Sequence, residues 1–262
     1  MILYIYKKEI VFMFRKGPNQ HMMFRSGNPA LGPKTFAGFD ATSGPVMSIE
    51  GAVNRVGVSL LILLIFGALS FNAASAIFLI PALILSLVLG LVTVFKKHLS
   101  FYTVPAYAAA QGVVLGGISH FFNEMFEGIV FQAVSLTVAI LAALLFAYKS
   151  RLIKVTENFK LGVAAATGGI FLLYFVQFIG GFFGLRIAVL DITNSSLISI
   201  GFSLLVIVIA SLNLVLDFDF IEEGAEKGVP KYMEWYAAFG LLTTLVWLYL
   251  EILRLLAKMR SR

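Results

Sequence analysis

The chain of 262 residues contains no cysteine, which excludes disulfides, zinc–thiolate sites and thiol catalysis. It is also poor in charge: 13% of its residues are Asp, Glu, Lys or Arg, against about a quarter in an ordinary soluble domain. So little polar surface cannot clothe a water-soluble globule, and a nucleotide-binding or extracellular enzymatic module does not fit. The motifs G-x-S-x-G, H-E-x-x-H and Walker A are missing, as are the Gly-Asp and Tyr-Asp dipeptides of intramembrane aspartyl proteases. No catalytic residue, enzyme activity or cofactor is expected. His98 follows Lys96 and Lys97, and His120 stands near Asn123, Glu124 and Glu127. Neither has a second histidine at ligand spacing, so both read as interfacial imidazoles rather than metal ligands.

What the chain has instead is apolar length. It is 60% apolar and 14% aromatic, with a mean hydropathy of +0.93. Continuously apolar runs lie at about 56–72, 75–95, 102–122, 128–148, 159–184, 196–218 and 233–257. Each is close to the roughly 20 residues a helix needs to cross a bilayer, and none alternates with the period of two of a barrel strand. The expected fold is an all-α integral membrane protein, a seven-transmembrane-helix bundle over 56–258, with the lipid bilayer as its solvent and 259–262 as a short basic end. Residues 1–55 differ, being basic and broken by Gly and Pro, and read as a mobile cytoplasmic tail. Met13, Met22 and Met23 are alternative starts, so the first 22 residues read as an upstream extension.

The net charge of +6 is topological rather than a sign of nucleic-acid binding, because cytoplasmic loops of membrane proteins collect Lys and Arg. With the N-terminus inside, fifteen of these residues fall on the cytoplasmic side and five outside, four of the five being Arg254, Lys258, Arg260 and Arg262. They would lie inside only if the last segment re-entered, and its length favours crossing. The chain is therefore expected in the cell membrane, multi-pass, with a cytoplasmic N-terminus. The G-x-x-x-G spacings Gly112/Gly116 and Gly180/Gly184 read as helix contacts.

The informative stretch ends the sixth run, where Asp217, Asp219, Glu222, Glu223 and Glu226 follow an apolar helix. Asp219, Glu222, Glu223 and Glu226 share one helical face and read as a solvated acidic end. Asp217 points about 200° away from Asp219. Stepping back from Asp217 by turns meets Asn213, Ala210, Ser203 and Ser199, a small and polar stripe expected to face the interior. The last run has a similar face in Ala237, Gly240, Thr244 and Glu251, with Arg254 one turn on, where it can neutralise Glu251. A carboxylate inside a bilayer is costly, so Asp217 and Glu251 are the candidate functional residues.

The residues Leu216-Asp-Phe-Asp-Phe-Ile-Glu-Glu-Gly224, Tyr232-Met-Glu-Trp-Tyr-Ala-Ala-Phe-Gly240 and Tyr249-Leu-Glu-Ile-Leu-Arg-Leu-Leu256, with Phe24-Arg-Ser-Gly-Asn-Pro-Ala-Leu31 near the start, resemble the prokaryotic branch of the Bax inhibitor-1 family over about residues 23–258. The resemblance implies seven helices with the last one central, and a pH-sensitive calcium leak gated by a carboxylate latch. It implies that an aspartate late in the sixth helix pairs with an acid on the last, and that a basic residue at the inner end of the second latches onto it. Asp217 matches the first, Lys96 or Lys97 the basic residue. Glu251 has a similar context to the second acid, whereas counting from the preceding loop puts that level near Thr243 or Thr244. With Asp217 at the inner end of its helix, Glu251 would lie about 28 Å further along the last one. Either the last segment folds back, or its helix starts deeper, or Asp217 works with Lys96 or Lys97 alone. Asp217 and Asp219 are the candidate calcium ligands, since calcium takes hard oxygens, and Asn213, Ser203 and Thr244 the polar lining. The alternatives are a non-enzymatic partner of a membrane-bound ATP-dependent protease and a proton-coupled transporter.

Overall fold

The computed structural model describes residues 44–73 and 78–261. The tail up to 43, with the alternative starts, and Arg262 lie outside the described residues. Seven helices follow in order: α1 (Ile49–Ala73), α2 (Leu79–Phe95), α3 (Ser100–Met125), α4 (Ile129–Lys149), α5 (Glu157–Gly181), α6 (Leu197–Glu226) and α7 (Met233–Arg260). Short 3-10 turns occupy Lys97–Leu99 and Ala188–Leu190. No strand forms among the described residues; Val46 and Pro230 make an isolated bridge.

The seven helices match the seven apolar runs in number and order, with two informative shifts in their ends. α1 begins at Ile49, so the expected tail boundary at 55 falls inside a helix. α6 continues to Glu226, beyond the expected end at 218, because its acidic face finds partners described below.

Five helices, α1, α4, α5, α6 and α7, are long and apolar enough to cross a membrane. α2 is apolar but has 17 residues, and α3, with 26, is more polar. Position explains α3. It packs against α1, α2 and α7 and buries Val104, Ala108, Leu115 and Ser119, so it presents little surface that must match lipid. Large apolar side chains such as Leu61, Ile80, Phe131, Phe146, Phe171 and Phe178 face outward from the neighbouring helices, as a hydrocarbon solvent requires. α7 is the most enclosed of the five, with 72% of its apolar stretch buried against 11% for α5. It packs on α1, α3, α4 and α6.

The α1–α3 contact depends on missing side chains. A Cβ on Gly112 would lie 2.5 Å from the Leu63 carbonyl oxygen, and one on Gly116 would run into the Gly67 carbonyl. Ser70 Oγ donates to the Val113 carbonyl across the same seam at 2.8 Å. The expected contact role of this glycine pair is therefore what the backbones use. The second pair behaves differently: α5 stops at Gly181, and Gly184 occupies the following turn with φ +79°.

At the opposite end of α1 the chain is strapped down. Met47 N donates to the Val229 carbonyl at 2.7 Å, and Lys231 N to the Pro45 carbonyl at 3.0 Å. Glu234, in the first turn of α7, is fully buried. It accepts from Ser48 N and Ser48 Oγ, both at 3.2 Å, and lies 3.8 Å from Arg55 Nε. The Arg55 guanidinium in turn sits 5.0 Å from the centre of the Trp235 ring.

Gly116→Val should lower the melting temperature in detergent, since overpacking costs about 1–3 kcal/mol. Gly162→Ala on α5, where an added Cβ meets nothing, should leave it unchanged or raise it. Equal losses in both would contradict the α1–α3 packing.

A polar seam between the last three helices

The stripes on α6 and α7 meet in a single antiparallel register. The Thr244 hydroxyl lies beside the Asp217 carboxylate, while Lys258 Nζ donates to Ser203 Oγ at 2.9 Å. Fourteen residues separate Ser203 from Asp217, and fourteen separate Thr244 from Lys258, about 21 Å along either helix. Seven residues nearly complete two turns, drifting by about 20°, so Thr244, Glu251 and Lys258 stay on one face of α7, as Asp217, Ala210 and Ser203 do on α6. α5 adds a third stripe at the same period. Its Lys160, Thr167 and Tyr174 reach Asp219, Asn213 and Glu251 respectively.

Most polar groups in this seam are compensated. Glu251, almost wholly buried, accepts from Tyr174 Oη at 2.8 Å and pairs with Arg254 Nη1 at 3.0 Å. Arg254 also lies over the Tyr174 ring, 5.0 Å from its centre. Asn213 Nδ2 donates to Thr167 Oγ1 and to the Ile209 carbonyl, each at 2.8 Å. Asp219 pairs with Lys160 Nζ at 2.7 Å.

Asp217 is the exception. Its side chain is 1% exposed, and neither carboxylate oxygen has a hydrogen-bond partner among the described residues. Thr244, though adjacent, turns its hydroxyl back to the Gly240 carbonyl at 3.3 Å. Asn213 Oδ1, one turn away on α6, is likewise buried without a partner. Three buried acceptor oxygens therefore lie along this stretch of seam without a hydrogen bond, although the Thr244 hydroxyl stands beside Asp217. Such an arrangement is expensive to hold empty.

The two acids named from the sequence do not meet. Glu251 stands one heptad beyond Thr244, about 10 Å further along α7 than the Asp217 level. The separation is smaller than the 28 Å expected because α6 runs nine residues past Asp217, to Glu226, which sets Asp217 inside the helix rather than at its end. α7 is continuous from Met233 to Arg260 and does not fold back. Lys96 is exposed at the end of α2. Lys97 places its ammonium over the Tyr236 ring, 5.7 Å from the centre, two turns short of Thr244, and partial burial holds its pKa below the ordinary lysine value. Neither lysine reaches Asp217, so the basic latch is not engaged here.

The acidic end of α6 borders a cleft of about 410 Å³, lined by Tyr148, Arg151, Lys154, Lys160 and Asp219 among others. Glu222 accepts from Tyr148 Oη and pairs with Arg151 at 3.0 Å. Glu223 pairs with Lys227 at 2.5 Å. Asp219 pairs with Lys160 whereas Asp217 has no hydrogen-bond partner among the described residues, and no three His, Asp or Glu side chains among them cluster as metal ligands. His120 pairs with Glu124 at 3.3 Å and meets the Phe71 ring edge-on.

Several working residues escaped the sequence reading. Lys160, Thr167 and Tyr174 carry a legible heptad signal, but they lie in a run judged by hydropathy alone. Glu234 carries no such signal, and Lys258 reads as one more terminal charge.

An all-helical bundle with outward apolar faces and a charged internal seam defines a multi-pass membrane protein. The model of the Bax inhibitor 1-like family matches residues 13–261, and the chain belongs to that family. The match starts ten residues before the resemblance drawn from the motifs, within the segment read as an extension. None of the curated proteins compared with the chain matches it.

Glu251→Gln should cost about 2 kcal/mol by weakening charged hydrogen bonds, lowering the melting temperature in detergent. Asp217→Asn, which loses no partner and gains a donor, should leave that temperature unchanged or raise it. A large loss in Asp217→Asn would show that its carboxylate has a partner.

Proposed function

We propose that this protein is a non-enzymatic, pH-sensitive cation leak, with calcium as cargo, whose pathway is the α5–α6–α7 seam and whose gating group is Asp217. In this reading all seven helices cross the cell membrane around a central α7, with the N-terminus cytoplasmic, as in the prokaryotic branch of the family. α3 is long enough at about 39 Å, and α2 nearly so at about 26 Å. The observation that carries the reading is the set of unpartnered oxygens of Asp217 and Asn213. Cations such as calcium take hard oxygen ligands, and a buried carboxylate without a hydrogen-bond partner attracts them. Protonation of Asp217 removes the charge that draws them in and turns one of its oxygens into a donor, which Asn213 Oδ1 can receive. Lys96 and Lys97 act in a second arrangement in which α2 and α7 have shifted to bring one of them to Asp217, and Glu251 holds α5 in place rather than sharing the proton.

Calcium flux into proteoliposomes, measured across pH for wild type and Asp217→Asn, tests this. The expected result is wild-type flux that changes with pH and mutant flux that has lost that dependence. Absence of flux, or an unchanged pH profile in the mutant, would overturn the reading. The competing reading, a partner of a membrane-bound ATP-dependent protease, draws on the charged cleft at the Asp219 end. It predicts that Arg151→Glu abolishes capture of the protease while flux is unaffected.

A further inference from the structure

Lys258 is 1% exposed, although it stands only two residues from the end of α7. Its three ammonium protons are all used: Nζ lies 2.7 Å from the Val189 carbonyl, 2.9 Å from Ser203 Oγ and 3.3 Å from the Ser199 carbonyl. These are two backbone carbonyls and a hydroxyl, converging from the 3-10 turn before α6 and from the first two turns of α6. No carboxylate pairs with this ammonium among the described residues. The nearest acids are engaged elsewhere: Glu251 with Tyr174 and Arg254, and Asp191 with the backbone and hydroxyl of Thr193, at 2.9 and 2.8 Å.

A full positive charge surrounded by neutral oxygens is the coordination of a cation site, not of an ion pair. If the only task were to tie the α5–α6 connection to α7, an uncharged donor would avoid the cost of desolvating an ammonium. Position supplies the rest of the argument. Lys258 closes the polar stripe of α6 at Ser203 and Ser199, and the unpartnered Asp217 lies at the other end of the same stripe, about 21 Å away. We propose that the carbonyls of Val189 and Ser199 and the hydroxyl of Ser203 form a site for an alkali or alkaline-earth cation at one mouth of the seam, and that Lys258 fills it as a tethered plug. The proposal rests on the leak reading for its physiological meaning, but the plug is a statement about access and is tested separately. The distances of 2.7–3.3 Å suit an ammonium. Calcium would draw the oxygens in to about 2.3–2.6 Å, so withdrawal of Lys258 also lets the mouth tighten around its replacement.

The chain has no cysteine, so a single introduced thiol reports access without background. Ala210, fully buried, lies on the stripe midway between Ser203 and Asp217. In Ala210→Cys, a cationic water-soluble thiosulfonate reagent should label the thiol slowly. Adding Lys258→Met should speed labelling by at least about tenfold, because the plug and a repelling like charge are both gone. Lys258→Arg should stay slow. Calcium flux through Lys258→Met proteoliposomes should rise by a similar factor. Unchanged labelling in a folded Lys258→Met protein overturns the plug whatever the flux. Faster labelling without flux in any variant overturns the leak reading and leaves the plug standing. If both Lys258→Met and Lys258→Gln fail to fold, as judged by size-exclusion profile, Lys258 is a structural tether and the proposal falls.

Discussion

The register between α6 and α7 is the constraint on which the rest of this bundle depends. α7 is largely enclosed, so its polar side chains cannot be hydrated and must find partners on neighbouring helices. Their spacing of seven residues keeps Thr244, Glu251 and Lys258 on one seam, and only an antiparallel partner with polar or small residues at the same period can face them. α6 provides Asp217, Ala210 and Ser203. A shift of one turn would set Lys258 against Ile207 or Ile200 and leave an ammonium without acceptors, which is a cost no single apolar contact offsets. α5 follows from the same constraint. Little of it is buried, and polar side chains at the same period hold it: Lys160 to Asp219, Thr167 to Asn213 and Tyr174 to Glu251.

Charge is distributed through the seam so that one site stands apart. Lys160 neutralises Asp219 and Arg254 neutralises Glu251. The basic residues at the C-terminal end looked like violations of the topological charge rule, yet the described ones are consumed by internal contacts. Arg254 binds Glu251, Lys258 binds the α6 start, and Arg260 donates to the Glu127 carbonyl at 2.7 Å and to Gln132 at 3.0 Å. Charges held by protein oxygens say little about which side of a membrane they face. The Asp217 carboxylate alone among these charges has no hydrogen-bond partner among the described residues.

Much of the architecture was legible because hydropathy is a statement about solvent. Continuous apolar runs predicted seven helices, and helical periodicity correctly put Ser199, Ser203, Ala210, Asn213 and Asp217 on a buried stripe. The longitudinal placement of Asp217 was misjudged. Hydropathy ends a helix where charges begin, whereas α6 continues to Glu226 because Lys160, Tyr148, Arg151 and Lys227 receive its acids. Apart from Lys227, one turn on from Glu223, those partners come from α4, α5 and the loop between them, and no local pattern announces them. Lys258 was hidden for a related reason: a terminal lysine and a buried one look alike until the oxygens around it are known.

The register can be measured directly in the membrane, because the chain has no cysteine of its own. Paired cysteines at 217 and 244, and separately at 217 and 251, can be oxidised in native vesicles and compared. A disulfide forms only when the Cα atoms come within about 7 Å. The account predicts efficient cross-linking of the 217/244 pair and little of the 217/251 pair. Preferential cross-linking of 217 to 251 would place the two acids together and contradict it.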